Sequence, residues 1–294
     1  MKKACWKFLA VLGIFCGVFL FGVWRLVSVL IYRPAIIKSE GPLDDEYKPF
    51  EAVNPRGEKI AAWYAAGNPG NSIILLCHGH SAEHTWFEFL ADFFLREGYS
   101  VLLLDFRAHG QSGGDFTSIG MHEWEDIHAV FSEGEKKRIF SLAQPIAAYG
   151  CSMGAAALVN GAKHLPEIKA FIIESCFSEL RKIAGHDLLH FTSIPDNPLV
   201  DLFFYIGSWR SGYAYFKNQP IREIAQIATR PLLLIHDGRD KRVLREDFDR
   251  MVQAAGPAKT LIFQEAGHTQ AQFHDPERFQ SEVCSFLISA GIRP

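Results

Sequence analysis

Gly150-Cys151-Ser152-Met153-Gly154 is a G-x-S-x-G pentapeptide set between two segments of different character. The apolar run Pro145-Ile146-Ala147-Ala148-Tyr149 precedes it, and the small-residue run Ala155-Ala156-Ala157-Leu158-Val159 follows. Strand, sharp turn and helix, in that order, are what a nucleophile elbow requires. The turn is so tight that a side chain at either flanking position would meet neighbouring backbone, so glycine is needed at both. The middle serine is then thrust out of a strained corner, beside the N-terminal amides of the next helix. A G-x-S-x-G also arises by chance in a chain of this length, so its weight comes from context.

Three other segments supply that context. Ser72-Ile73-Ile74-Leu75-Leu76-Cys77 reads as a buried strand and ends in His78-Gly79-His80, a loop able to aim a backbone N–H at an oxyanion. Arg230-Pro231-Leu232-Leu233-Leu234-Ile235 is a second strand, and it runs into His236-Asp237-Gly238-Arg239-Asp240. Thr260-Leu261-Ile262-Phe263 is a third, followed by Glu265-Ala266-Gly267-His268. A serine hydroxyl is a poor nucleophile until a base takes its proton, so Ser152 needs an imidazole within hydrogen-bond reach. His268 sits in a glycine-containing loop after the last strand, whereas His274 stands beside Asp275-Pro276, a helix start. The acid that orients the imidazole is Asp240 or, three residues earlier, Asp237. The oxyanion would be held by the backbone amides of His80 and Met153, with little asked of their side chains. Cys151, adjacent to Ser152, is a rival nucleophile only if the elbow exposed its neighbour instead of its apex.

Serine, then acid, then histidine is the chain order of an α/β-hydrolase triad. From about Phe50 to the C-terminus the chain resembles the α/β-hydrolase superfamily, and most of all its membrane-associated serine hydrolases with an H-G-x oxyanion loop. Their D-x-R-G-x-G-x-S segment has its counterpart in Asp105-Phe106-Arg107-Ala108-His109-Gly110-Gln111-Ser112. Two departures stand out: Ala108 where that segment usually carries glycine, and Asp237 where the acid loop usually reads H-G. The resemblance puts the acid at Asp240. It implies hydrolysis of an acyl ester or thioester through an acyl-enzyme, on a small-molecule or lipid substrate and without a cofactor. A peptidase on the same triad and a non-catalytic binding protein on the same fold are the alternatives.

Composition agrees with one large α/β core. The chain has 294 residues, 48% hydrophobic, and a formal net charge of −3, which gives no electrostatic footprint for nucleic acid. Cysteines at 5, 16, 77, 151, 176 and 284 form no C-x-x-C or zinc framework. His78, His80 and His84, and His186 with His190, lack a carboxylate or cysteine at a recognisable zinc spacing, so no metal is expected. His78 is expected to tether its own loop. The chain has twenty-four phenylalanines, with concentrations of them in Trp86–Phe94 and Phe191–Phe216, a composition that suits either an apolar acyl pocket or plain core packing.

The N-terminus reads differently. Lys2, Lys3 and Lys7 precede a run from Phe8 to Trp24 without a charged residue or any Ser, Thr, Asn or Gln; beyond Arg25, Leu26–Tyr32 is again mostly apolar. Such a run is at the short end of the roughly 17–25 residues of a membrane-spanning helix. It exceeds the apolar core of about 7–15 residues in a cleaved signal peptide, and no A-x-A-like site follows. An uncleaved single-pass anchor over residues 1–37 is therefore expected, outside the catalytic fold. The three lysines put the N-terminus in the cytoplasm and the catalytic domain on the periplasmic or equivalent side, although Arg25, Arg33 and Lys38 weaken that bias.

A polar linker over 38–48 leads to the hydrolase domain at 49–294. A hairpin with strands 50–53 and 60–64 comes first, turning at Asn54-Pro55-Arg56-Gly57. Strands at 73–77, 101–105, 146–150, 169–174, 231–236 and 260–264 then alternate with helices at 83–96, 121–133, 153–163, 244–255 and 276–290. Near-continuous apolar strands such as Val101-Leu102-Leu103-Leu104 belong to a mostly parallel sheet covered on both faces. Residues 177–228 break the alternation and read as a helical cap insertion over the site.

Overall fold

The computed structural model describes residues 2–34, 46–227 and 229–294. The expected linker lies largely outside the described residues, as does Ala228 at the expected end of the cap. An eight-stranded sheet organises the chain. In chain order its strands are β1 (Lys48–Val53), β2 (Lys59–Ala65), β3 (Ile73–Cys77), β4 (Ser100–Leu104), β5 (Ile146–Cys151), β6 (Ile168–Glu174), β7 (Leu232–Asp237) and β8 (Lys259–Phe263). Their spatial order is β1-β2-β4-β3-β5-β6-β7-β8. The hairpin pairs antiparallel with itself and with β4, and every later pairing is parallel. Asn54 fixes the hairpin turn, its Oδ1 accepting from the amides of Arg56 and Glu58, each at 3.0 Å.

The central strands β3, β4 and β5 are buried at every position. Alternate residues of each strand face opposite ways, so two apolar cores form. Helices α2 (Glu88–Arg96) and α9 (Pro276–Ser289) cover one face with Leu90, Phe94, Phe279 and Val283. Helices α3 (Trp124–Lys136), α4 (Met153–Gly161) and α7 (Arg245–Ala255) cover the other with Ile127, Val130, Leu158 and Met251. Two helix starts differ from the sequence reading by three residues or more, for identifiable reasons. The amide of His84 is taken by Asp105 Oδ1 at 2.7 Å, so residues 84–87 form a 3-10 turn before α2 begins. The Glu123 carboxylate collects the amides of Ser118 and Gly120 at 2.7 and 2.8 Å, which holds the preceding loop and delays α3 to Trp124.

Between β6 and β7 lie α5 (Leu180–Thr192), α6 (Pro198–Ser211) and three 3-10 turns, with no strand among the described residues. Asn197 caps α6, accepting from Leu199 N at 2.9 Å, and Gly212 ends it in the left-handed conformation. Arg242, in the loop after β7, grips Asp187 of α5 through two bonds of 2.7 and 2.8 Å. The insertion is thereby tied to the loop that carries Asp240.

The N-terminal helix departs most from expectation. Helix α1 runs unbroken over Lys2–Ile31, and Val11–Ile31 is long and apolar enough to cross a membrane, with a mean hydropathy of 2.3. Its last turns, however, are not separate from the catalytic fold. Val23, Val27 and Ile31 recur every four residues, so they share one helix face, and that face is buried in the same core as Val200 and Phe204 of α6. Trp24 packs edge-to-face on Trp209, and the Arg210 guanidinium lies 3.9 Å from the Trp24 ring centre. Val11 through Phe21, by contrast, stand exposed.

The elbow depends on close backbone approach. A Cβ on Gly154 would overlap the Cys77 carbonyl oxygen, far inside van der Waals contact, and one on Gly150 would lie 2.7 Å from the Gly154 carbonyl carbon. Both contacts are with strand or helix backbone, which cannot swing aside. Gly154→Ala is therefore expected to destabilise the protein by about 3 kcal/mol or more. Urea unfolding checks this, and wild-type stability in that variant would contradict the packing described.

Candidate active site

Ser152 sits between β5 and α4 with φ 50° and ψ −111°, a conformation that L-residues adopt only under constraint. Its amide is held by the Glu174 carbonyl at 2.9 Å and its own carbonyl accepts from Ala156 at 3.0 Å. His268 reaches it from the loop after β8. Nε2 lies 3.0 Å from Ser152 Oγ, while Nδ1 lies 2.6 Å from Asp240 Oδ2. A carboxylate only accepts, so Nδ1 bears the proton and Nε2 is left to accept from the serine. Asp240 is itself fixed, with Oδ1 receiving the amides of Arg242 and Val243 at 2.8 and 3.0 Å. Burial opposes its charge, but the His268 bond and these amides hold its carboxyl below the usual range. The acid and histidine loops are joined by Gly238 N to Phe263 O and Arg239 N to Ala266 O, both at 2.8 Å.

Each alternative weighed from the sequence has a different place. His274 is exposed on the short helix α8 (Ala271–His274). Cys151 is buried, and burial pushes its thiol up to about 12, which removes the thiolate. Asp237 lies behind the Ser152–His268–Asp240 hydrogen-bond chain and not in it. Its Oδ2 accepts from Ser175 Oγ at 2.5 Å and from Thr269 N at 2.9 Å, and the same Ser175 hydroxyl stands 3.0 Å from Asp240 Oδ2. Glu174 adds a second buried carboxylate there, accepting from Tyr149 Oη and, at 3.2 Å, from Ala271 N. Burial first, and the Asp237 charge next, raise its pKa well above the ordinary value. Ser175, Glu174 and Tyr149 were not singled out in the sequence. The signal was available: Glu174 ends a central strand and Ser175 follows it, beside the strand from which the acid loop emerges.

The His78–His80 loop passes over the elbow, with a Cβ on Gly79 falling 3.5 Å from that of Ser152. His78 does tether it: Nδ1 donates to Gly79 O at 2.7 Å and Nε2 accepts from Phe106 N at 3.0 Å. Burial, with His109 nearby, lowers the His78 pKa to about 3, so this ring stays neutral. Met153 opens α4, where the first amides have no intrahelical acceptor. The side chain of His80, of which little was asked, has a definite partner: Nε2 lies 2.7 Å from the Leu30 carbonyl of α1. Within the two aromatic-rich stretches, Phe87 and Phe204 are core, whereas Tyr205 and Trp209 are exposed on α6.

The Asp105-to-Ser112 segment is architectural. Asp105 accepts from His84 N, His84 Nδ1 and Gln111 N, and Arg107 is wholly buried against Asp126. Ala108 has φ 63°, the left-handed region that explains why related segments carry glycine there. Glu83, His84 and Asp105 come within 4.8 Å of one another, a grouping the spacing did not suggest. Asp105 spends both of its oxygens on the bonds just given, and Glu83 accepts from Thr85 Oγ1 at 3.2 Å.

A chain with this sheet, this elbow and this Ser–His–Asp arrangement belongs to the alpha/beta hydrolase family, whose sequence profile matches residues 74–281. The chain is similar to the Bacillus subtilis protein YqkD, with 28% identity over 241 residues, covering 81% of this chain and 78% of that one. A Mycobacterium tuberculosis relative is 25% identical over 288 residues, covering 94% and 92% of the two chains. Among solved structures, the Pyrococcus furiosus esterase Pf2001 superposes with a TM-score of 0.72 at 25% identity, over 88% of this chain and 98% of its own. An esterase from Exiguobacterium antarcticum shares the fold, with a TM-score of 0.60 at 20% identity over 82% and 100% of the two chains. Family and neighbours together support a hydrolase of the esterase kind.

Two substitutions separate the acids. Asp240→Asn should lower kcat by about 10⁴, because the histidine loses its orienting carboxylate. Asp237→Asn, one hydroxyl removed, should cost about tenfold or less. Comparable losses in the two would contradict this division. Asp237 also carries a pH signature. Burial first, with the Asp240 charge adding, pushes its carboxyl up to about 6, against the pull of Ser175 and Thr269. A raised folded value means its contribution to stability is complete below the unfolded value of about 4 and is lost as pH rises through about 6. The melting temperature of Asp237→Asn relative to wild type should therefore climb between about pH 4 and 7. A difference independent of pH would contradict the buried-carboxylate account.

Proposed function

We propose that this protein is a membrane-tethered serine hydrolase that cleaves carboxylic esters or thioesters through an acyl-enzyme on Ser152. The observation that carries the reading is the imidazole of His268, bonded to Asp240 on one side and to Ser152 Oγ on the other. Ser152 Oγ attacks the acyl carbon as its proton passes to His268 Nε2, and the carbonyl oxygen becomes an oxyanion facing the amides of His80 and Met153. Asp240 stabilises the imidazolium. Collapse breaks the bond to the leaving group, which departs as alcohol or thiol with the proton from His268. Water then adds to the acyl-enzyme by the same route, releasing the carboxylic acid and restoring the serine.

Esters are preferred to amides because the Pyrococcus furiosus relative, at 25% identity, is named an esterase. A fluorophosphonate probe tests the nucleophile: wild type should be labelled and Ser152→Ala should not. Equal labelling of both, or none of the folded wild type, would contradict the assignment.

The tether is the second part of the reading. A cleaved signal peptide would strip Val23, Val27 and Ile31 out of the core they share with α6, which favours a retained helix. The exposed Trp209 beside Trp24 is the kind of aromatic pair found at membrane–water interfaces. A site fixed to such a helix samples the bilayer surface at high effective concentration, which suits a lipid or other membrane-borne acyl substrate. Lys2, Lys3 and Lys7 favour a cytoplasmic N-terminus and a catalytic domain on the far side. Alkaline phosphatase fused after Pro294 should then be active and green fluorescent protein dark. The reverse pattern would invert the topology, and full extraction by high salt without detergent would remove the tether.

A further inference from the structure

The last four carbonyls of a helix have no partner within it, and α1 finds its partners in the catalytic domain. Ile31 O receives Thr117 N at 3.0 Å, and Leu30 O receives Nε2 of His80 at 2.7 Å. Because a carbonyl only accepts, the His80 proton is on Nε2, and Nδ1 accepts from Ser81 Oγ at 3.0 Å. The ring is held at both nitrogens, and the bond to Leu30 is the one that joins it to a distant segment. Burial, with His109 nearby, lowers the His80 pKa to about 3, so the ring stays neutral and keeps this pattern. Ser81 next to it has φ 61°, a left-handed turn that persists only where its surroundings hold it. The end of α1 is in turn fixed to the rest of the fold by Val23, Val27 and Ile31, and by Arg210 stacked on Trp24.

We propose that His80 is a positioning residue, and that the last turn of α1 acts through it: the Leu30 carbonyl clamps the imidazole, which holds the His80 backbone N–H on the oxyanion. This rests on reading Ser152 as the nucleophile and the His80 amide as an oxyanion donor. It assigns the N-terminal helix a part in turnover as well as in localisation. The consequence is particular: loosening the clamp should lower kcat while leaving ground-state binding nearly untouched, because the oxyanion exists only after attack.

The experiment uses full-length protein in detergent micelles and a p-nitrophenyl acyl ester. His80→Phe preserves a planar ring but removes the donor to Leu30. His80→Gln carries an amide N–H₂ of the length needed to reach that carbonyl, and His80→Asn carries one that is too short. Losing an oxyanion donor outright costs about 10²–10³ in kcat, so a displaced donor in His80→Phe should cost about 10–100-fold, with KM within about twofold of wild type. Affinity for an aryl trifluoromethyl ketone, which forms a tetrahedral adduct on the serine, should fall by a similar factor. His80→Gln should restore kcat to within about fivefold of wild type. If His80→Phe gives no melting transition, the amide pair decides, with Gln expected to be several-fold faster than Asn. Wild-type kcat in His80→Phe, or equal kcat in Gln and Asn, would overturn the clamp. Turnover in Ser152→Ala equal to wild type would instead overturn the reading on which the clamp rests.

Discussion

The backbone of Ser152, held at φ 50° and ψ −111°, is the constraint on which the rest of the site turns. Such a conformation costs about 1–3 kcal/mol and survives only where the surroundings over-determine it. Here β5 arrives between two parallel neighbours, α4 leaves at once, and glycine on either side lets the two backbones pass in contact with Cys77 and with each other. The hydroxyl at the apex then has no choice of direction. The last two strands, β7 and β8, lie to one side of β5, and their C-terminal loops bring Asp240 and His268 to it in turn. This is the general geometry of an open α/β sheet, in which chemistry gathers beyond the carboxyl ends of the strands.

Behind the triad, charge is managed by sharing partners. Asp240 and Asp237 are both buried, and Ser175 Oγ stands within hydrogen-bond reach of both. Two carboxylates in a dry site repel, and the environment separates their titrations. Backbone amides and His268 favour the charged form of Asp240, while burial and the neighbouring charge disfavour it at Asp237. Glu174 extends the same logic one step further, holding Tyr149 and Ala271. The carboxylate that meets the imidazole is thereby the one kept ionised.

Much of this was legible in the sequence, for reasons that differ by element. The strands that matter are continuous apolar runs ending in small or polar residues, so their boundaries and the residues at their ends could be read with little error. The Ser152, Asp240 and His268 constellation could be proposed because each lies within a few residues of the end of such a strand. Choosing Asp240 over Asp237 needed the family resemblance, since both follow β7 and only the three-dimensional path of the loop separates them. Other features depended on contacts distant in sequence. The apolar pattern of α1 is that of a membrane span, and nothing in it says that Val23, Val27 and Ile31 belong to a protein core. His80 meets Leu30 across fifty positions, which no local pattern encodes. The late start of α3 follows from Glu123 turning back to bind Ser118 and Gly120.

The central claim is that Ser152 carries the acyl group. Its most direct test is intact-protein and peptide mass spectrometry after rapid acid quench of the enzyme turning over a p-nitrophenyl acyl ester. The account requires a mass increase equal to one acyl group minus a hydrogen, confined to the peptide containing Ser152 and absent from Ser152→Ala. An adduct on another residue, or a burst of p-nitrophenol stoichiometric with enzyme and no acyl adduct on the Ser152 peptide, would contradict it.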